Sequence, residues 1–230
     1  MYRRARPCAL CAAKFRHAHG HYRDLCPSCA AAHWTRRTAR ADLSGRLALV
    51  TGIADDASYE LTRMLLRDGA EVAVVTDPRS ERNRARLEQE ARTAPDSRLT
   101  VLVNGLSGQY DVDVLGRDMY DRYRGRLSIL VNTAHVAQAP YAMWRSQLEA
   151  AAARYVVPTL LVYKFHASLS KAPGGGHVIT VAPGRIDALP AQRIHRHDIV
   201  PATPPRGILD DIDAAATLYA PLVAAFPRAT

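Results

Sequence analysis

Between residues 46 and 183, short apolar runs alternate with stretches whose apolar residues recur at helical spacing. The runs are RLALVTG, EVAVVTD, RLTVLVN, LSILVNTA and HVITVAP. They are too short for helices and too continuous for half-exposed strands, so they predict strands buried on both faces. Between them, SYELTRMLLRDGA reads as an amphipathic helix ending near Gly69, RSERNRARLEQEARTA as a charged surface helix and VDVLGRDMYDRYRG as a third. A longer helix is expected over residues 143–170, kinked or divided at Pro158. Past HVITVAP the pattern weakens. DIVPATP offers a sixth strand and DDIDAAATLYAPLVAAF a last helix. Such alternation builds an α/β, doubly wound parallel sheet. The segment after the fifth strand is too short for a full crossover helix with its loops, so one crossover unit is expected to be lacking.

The first forty residues have a different character. They hold nine of the basic residues and one acid, Asp24, a formal +8 of the chain's +9, whereas residues 41–230 are close to neutral. All four cysteines lie here, as Cys8-x2-Cys11 and Cys26-x2-Cys29. Two such knuckles let four thiolates converge tetrahedrally, which predicts a structural zinc site whose binding supplies the folding energy of a segment too short for its own core. The division expected is thus a zinc module over 1–40 and a sheet domain over 41–230. A closed four-thiolate site leaves no open position for catalysis. The module is read as a cap on the sheet domain in preference to a phosphate-gripping unit using Tyr22 or Trp34 for stacking. The neutral body argues against a domain-wide nucleic-acid surface. No apolar run reaches membrane-spanning length and the basic N-terminus lacks a signal-peptide core, so a soluble, cytoplasmic protein is expected.

The segments DLSGRLALVTG, LLRDGAEVAVVT, LSILVNTAH and GGGHVITVAPG resemble the first, second, fourth and fifth strand regions of short-chain dehydrogenases/reductases over residues 42 to 185. The resemblance implies a Rossmann-like fold, a nicotinamide dinucleotide and a Ser–Tyr–Lys site with a helper asparagine. Several of those residues are missing. In the glycine-rich turn, Thr51 and Gly52 match, but Asp56 and Ser58 replace the other two glycines. Carboxylates there occupy the helix-terminus field that attracts phosphate. Asp77, at the end of the second strand, stands where an NAD-preferring enzyme holds the adenosine ribose, and is equally an ordinary turn acid before Pro78. The serine position reads Ala182, no asparagine follows Asn132, no lysine follows Lys171, and no tyrosine has a lysine four residues on. His135 replaces a glycine after the fourth strand.

These departures predict a scaffold without the usual redox site. NAD(P) is not expected to bind, and the role is a non-redox step on a small molecule (dehydration, isomerisation or cyclisation) or non-catalytic binding. His135, at a strand's carboxyl end, with His195, His197 or Asp198 from a loop over the cleft, forms the candidate acid–base set, because histidine exchanges protons near neutral pH. Two other readings stay open: an atypical NAD(P)-dependent oxidoreductase, and a zinc-finger protein that binds nucleic acid. The partners expected are a small-molecule ligand and, with the family's helix-pair interface weakened, at most a homo-oligomer.

Overall fold

The computed structural model describes residues 2–76, 80–93, 98–103, 106, 108–133, 156–181, 193–199 and 209–228. Two short strands, β1 (Arg6–Pro7) and β2 (Lys14–Phe15), pair antiparallel and are followed by helix α1 (Pro27–Thr38). The sheet domain then runs β3 (Leu47–Val50), α2 (Asp56–Arg67), β4 (Glu71–Thr76), α3 (Glu81–Thr93), β5 (Leu99–Val103), α4 (Gln109–Tyr123) and β6 (Leu127–Asn132). It continues with α5 (Val157–Lys171), β7 (Gly176–Val181), β8 (Ile194–Ile199) and α6 (Asp211–Ala225).

The six strands form one parallel sheet in the order β5-β4-β3-β6-β7-β8. The chain reverses direction across the sheet after β5, so the crevice between β3 and β6 is the place where open α/β sheets take ligands. The expected Rossmann-like, doubly wound sheet is present. Alternate side chains of each strand fill two cores. Val50, Val74, Val131 and Ile179 pack with Leu61 and Leu65 of α2 and Leu218 and Leu222 of α6. Leu49, Val75, Leu130 and Val178 pack with Leu115 and Met119 of α4 and Leu161 and Phe165 of α5. Gly176 opens β7 against α5 because a Cβ there would come within 2.6 Å of the Leu169 carbonyl oxygen.

One boundary differs from expectation and another is only partly described. Pro158 sits in the first turn of α5, where a missing N–H leaves no intrahelical bond unmade, and the earlier part of the expected helix, residues 143–155, lies outside the described residues. The sixth strand of the sheet is Ile194–Ile199, four residues earlier than DIVPATP, because alternating RIHRHD pairs in register with GHVITV along its whole length. Residues 182–193 therefore link two adjacent parallel strands, at the lower limit for a parallel crossover. No helix among the described residues is long and apolar enough to cross a membrane.

The N-terminal module has a small core of Cys8, Phe15, Tyr22, Leu25, Cys26 and Ala30, and Leu209 of the sheet domain packs against it. Tyr22 is buried and its hydroxyl donates to the Asp213 carboxylate on α6, while Arg37 reaches Asp210 at 2.6 Å and Asp213 at 3.3 Å. Burial and the facing Asp213 push the Tyr22 hydroxyl well above its usual range. Tyr22 is thus not available for stacking. It docks the module on α6.

Candidate functional site

The first turn begins where β3 hands the chain to α2. Asp55 is the N-cap of α2: its carboxylate accepts from the Ser58 backbone N–H at 2.6 Å and from the Ser58 hydroxyl at 3.0 Å. A carboxylate of the chain itself therefore occupies the anion position at this helix terminus. Ser58 is the donor in both bonds and Asp55 the cap. Asp56 turns the other way, to Arg86 at 3.0 Å and Arg82 at 3.8 Å.

Hydrogen bonds also hold the rest of the turn. The Gly52 carbonyl accepts from the Thr133 hydroxyl at 2.7 Å, and the Ile53 carbonyl accepts from the Asn83 amide at 2.9 Å. A dinucleotide's diphosphate takes N–H groups and a close backbone approach here, and of those N–H groups the one of Ser58 is held by Asp55.

At the other side of the crevice stands Asn132, the last residue of β6. It is fully buried, in register with Thr180 of β7, and neither its amide nitrogen nor its oxygen has a hydrogen-bond partner among the described residues. A buried amide without partners costs about 1–3 kcal/mol. It is a polar group that a ligand at the switch point can satisfy. Sequence reasoning used Asn132 only as a family landmark; a lone asparagine among apolar strand residues was the available signal.

The candidate acid–base residues separate. His135 and Asp77 lie outside the described residues. His195 and His197 lie on β8 and not in a loop over the cleft, since their spacing of two places both on one face of a strand. His195 is in register with His177 near the amino end of the sheet, His197 with Ile179 at mid-strand, and Asp198, whose side chain lies outside the described residues, with Thr180.

There the histidines form a cluster that sequence reasoning missed. The His177 ring stacks on His195 with centroids 4.7 Å apart, and its Nδ1 lies 3.4 Å from Nε2 of His197 with the two rings 8° from parallel. Phe226 meets His177 edge-on at 4.8 Å, and the Arg46 guanidinium lies 3.6 Å over Phe226. Burial, the two neighbouring imidazoles and Arg46 push His177 down to about 4. A ring so placed stays neutral at physiological pH. Its carbon-bound proton resonances are expected to titrate with a midpoint near 4 in the folded protein; a midpoint near the usual 6.5 would show that the ring is not enclosed as described.

Lys164 and Tyr163 of α5 supply no family-type pair. Tyr163 is exposed, whereas Lys164 is drawn to Asp113 of α4 at 2.5 Å, its stem lying across Gly116. Tyr219, the only tyrosine after Tyr163, is buried and donates to Asp68 at 2.7 Å.

The four-cysteine cluster is compact. All four sulfurs lie within 4.8 Å of one another, with Cys11 and Cys26 at 3.6 Å, and none is in a disulfide. A tetrahedral ion with Zn–S bonds of ~2.3 Å needs sulfur–sulfur edges of roughly 3.8 Å. Cys8, Cys11, Cys26 and Cys29 fit such an ion. Ala12, in the left-handed region at φ 60°, turns the first knuckle, its N–H returning to the Cys8 carbonyl at 2.9 Å.

No family model matches the chain. A protein of Streptomyces lividans named "Probable oxidoreductase" is 34% identical over 148 residues, 62% of this chain and 46% of that protein. One of the same name from Streptomyces antibioticus is 34% identical over 149 residues, 62% and 47% of the two chains. The chain spans about half the length of these curated relatives. Among solved structures, NADPH-bound carbonyl reductase from chicken fatty liver superposes with a TM-score of 0.53 at 21% identity, over 64% of this chain and 60% of that one. The promiscuous reductase LugOII, which catalyses keto-reduction at C1 in lugdunomycin biosynthesis, gives 0.51 at 26% identity, over 61% and 60%. A metagenomic short-chain oxidoreductase in complex with NADP gives 0.50 at 23%, over 61% and 63%. The chain is a short-chain-oxidoreductase-like protein with a Rossmann-like sheet, similar in sequence and in fold to proteins named as oxidoreductases, and it carries a four-cysteine cluster able to hold a metal.

Proposed function

We propose that this protein keeps the short-chain oxidoreductase scaffold without its dinucleotide and uses the crevice for a small molecule, which it binds or converts without redox chemistry. The observation that carries this reading is the Asp55 carboxylate, held by two hydrogen bonds from Ser58 where a diphosphate would bind. A second negative group brought there meets repulsion where the family's turn offers N–H donors. The proton-transfer apparatus is missing as well: Tyr219 is bound to Asp68, Lys164 to Asp113, and Ala182 stands at the serine position. Asn132 supports retention of a ligand, since its amide offers one donor side and one acceptor side at the switch point.

In this reading His135, three residues beyond Asn132 in the sequence, is the acid–base group. Zinc on the four cysteines is structural, with all four positions filled by protein. The names of the sequence relatives favour a second reading, an atypical NAD(P)-dependent oxidoreductase.

Calorimetric titration with NADH and NADPH separates the two. No saturable binding tighter than about 1 mM is expected. Stoichiometric uptake of the reduced cofactor, with its oxidation by any carbonyl compound, would overturn the proposal in favour of the second reading.

A further inference from the structure

The N-terminal module meets α6 through Tyr22 and Arg37, which leaves another part of its surface uncovered. There Trp34 is 41% exposed, an uncommon state for the largest side chain. Its ring lies 5.5 Å from the His19 ring and 5.6 Å from the His21 ring, tilted 50° and 53° to them. His19 is held in place: its Nδ1 accepts from the His21 and Tyr22 backbone N–H groups at 3.2 and 3.4 Å. The two imidazoles thus flank the exposed Trp34 ring.

A groove starts at the same residue. It is lined by Tyr2, Arg6, His19, Gly20, Arg23 and Asp24. Of the groove's two arginines, Arg6 pairs with Asp24 at 3.1 Å and Arg23 is exposed. Arg3, Arg4 and Arg16, which do not line the groove, are exposed on the same module, and of these arginines only Arg6 holds an ion pair among the described residues. Four thiolates around a divalent ion cancel only part of the module's positive charge, and the charges of the body nearly cancel one another.

We infer that this surface binds single-stranded nucleic acid, the groove following the phosphates and Trp34 stacking a base. Proteins that hold single strands without reading sequence join these two features, a basic track and an aromatic plane beside it. An acidic polypeptide would match the charge but has no use for the exposed ring. A duplex keeps its bases stacked inside and cannot reach Trp34. The inference stands apart from whatever the crevice binds.

The test is fluorescence anisotropy of the full-length, metal-loaded protein with labelled oligothymidylate and oligouridylate of about 12 nucleotides. Affinity is expected to fall with salt, log K against log [KCl] losing about 0.7 per phosphate contacted. Trp34→Ala should weaken binding by roughly 5- to 150-fold at constant salt, and Trp34→Phe should restore part of it. Arg23→Ala should flatten the salt slope by about 0.7. An unchanged melting temperature in each variant shows that the module is still docked. Equal affinity for a duplex of the same length, equal competition by polyglutamate, no loss on Trp34→Ala, or no binding at about 50 mM salt would each overturn the inference.

Discussion

Removing the metal from the cysteine cluster is expected to unfold the module and also to destabilise the sheet domain. The module's six core residues include two of the ligands, so little apolar contact holds it once the thiolates lose their common ion. Its unfolding pulls Tyr22 and Arg37 away from α6. The Asp213 side chain is 1% exposed with the module docked, and undocking exchanges those two donors for water. Losing hydrogen bonds to a charged group costs about 1.5–3 kcal/mol, which for a chain of this size lowers the melting temperature by about 3–12 °C. Cys26→Ser should reproduce the loss, and chelator added to that variant should do nothing more. Metal content by atomic absorption and unfolding by circular dichroism provide the measurement. A chelated protein that melts as one unit within about 1 °C of the untreated one would show that the module is an appendage and not a clamp.

The sheet was legible because each strand is a buried apolar run and each helix has one apolar face, and these periodicities are local. The cysteine spacing was legible for the same reason, since two knuckles of fixed geometry carry their own signal. What escaped was long-range. Tyr22 and Asp213 are 191 residues apart, and nothing near either announces the other. The last strand was misplaced because RIHRHDI carries charge and imidazole where apolar residues mark the other strands. Its alternation was the missed sign, and the apolar stub of DIVPATP drew the assignment forward. The carboxylate at the first turn was anticipated, but sequence alone could not decide which of Asp55, Asp56 and Ser58 caps the helix. That depends on which side chain the adjacent Arg82 and Arg86 of α3 attract.

Asp68 is the second place where one substitution should have a large effect. Its side chain is wholly buried and accepts from Arg40, from Arg67 at 2.9 and 3.0 Å, from the Ala41 N–H at 2.9 Å and from the Tyr219 hydroxyl at 2.7 Å. These donors come from the segment joining the module to the sheet, from the end of α2 and from α6, so one carboxylate ties three parts of the chain together. Burial alone would push the Asp68 carboxyl up, but Arg67, the Ala41 N–H, Tyr219 and Arg40 together hold it below its usual value. A carboxyl with a lowered folded value stabilises the fold fully above its unfolded value of about 3.9. That stabilisation is lost as pH falls through the lower, folded value. Urea midpoints should therefore drop as pH is taken from about 5 towards 2, and Asp68→Asn should be less stable at neutral pH with a shallower acid limb. Asp68→Ala, which strands two guanidiniums and a tyrosine hydroxyl, should cost about 3–5 kcal/mol, and Tyr219→Phe about 1–2 kcal/mol. The pair also bears on chemistry, because Tyr219 is the one tyrosine late enough in the chain to be compared with the family's proton donor. If it is structural, Tyr219→Phe lowers stability and leaves ligand binding at the crevice unchanged. A Tyr219→Phe protein of full stability but altered ligand affinity would return that hydroxyl to the active site and remove a main support for the non-redox reading.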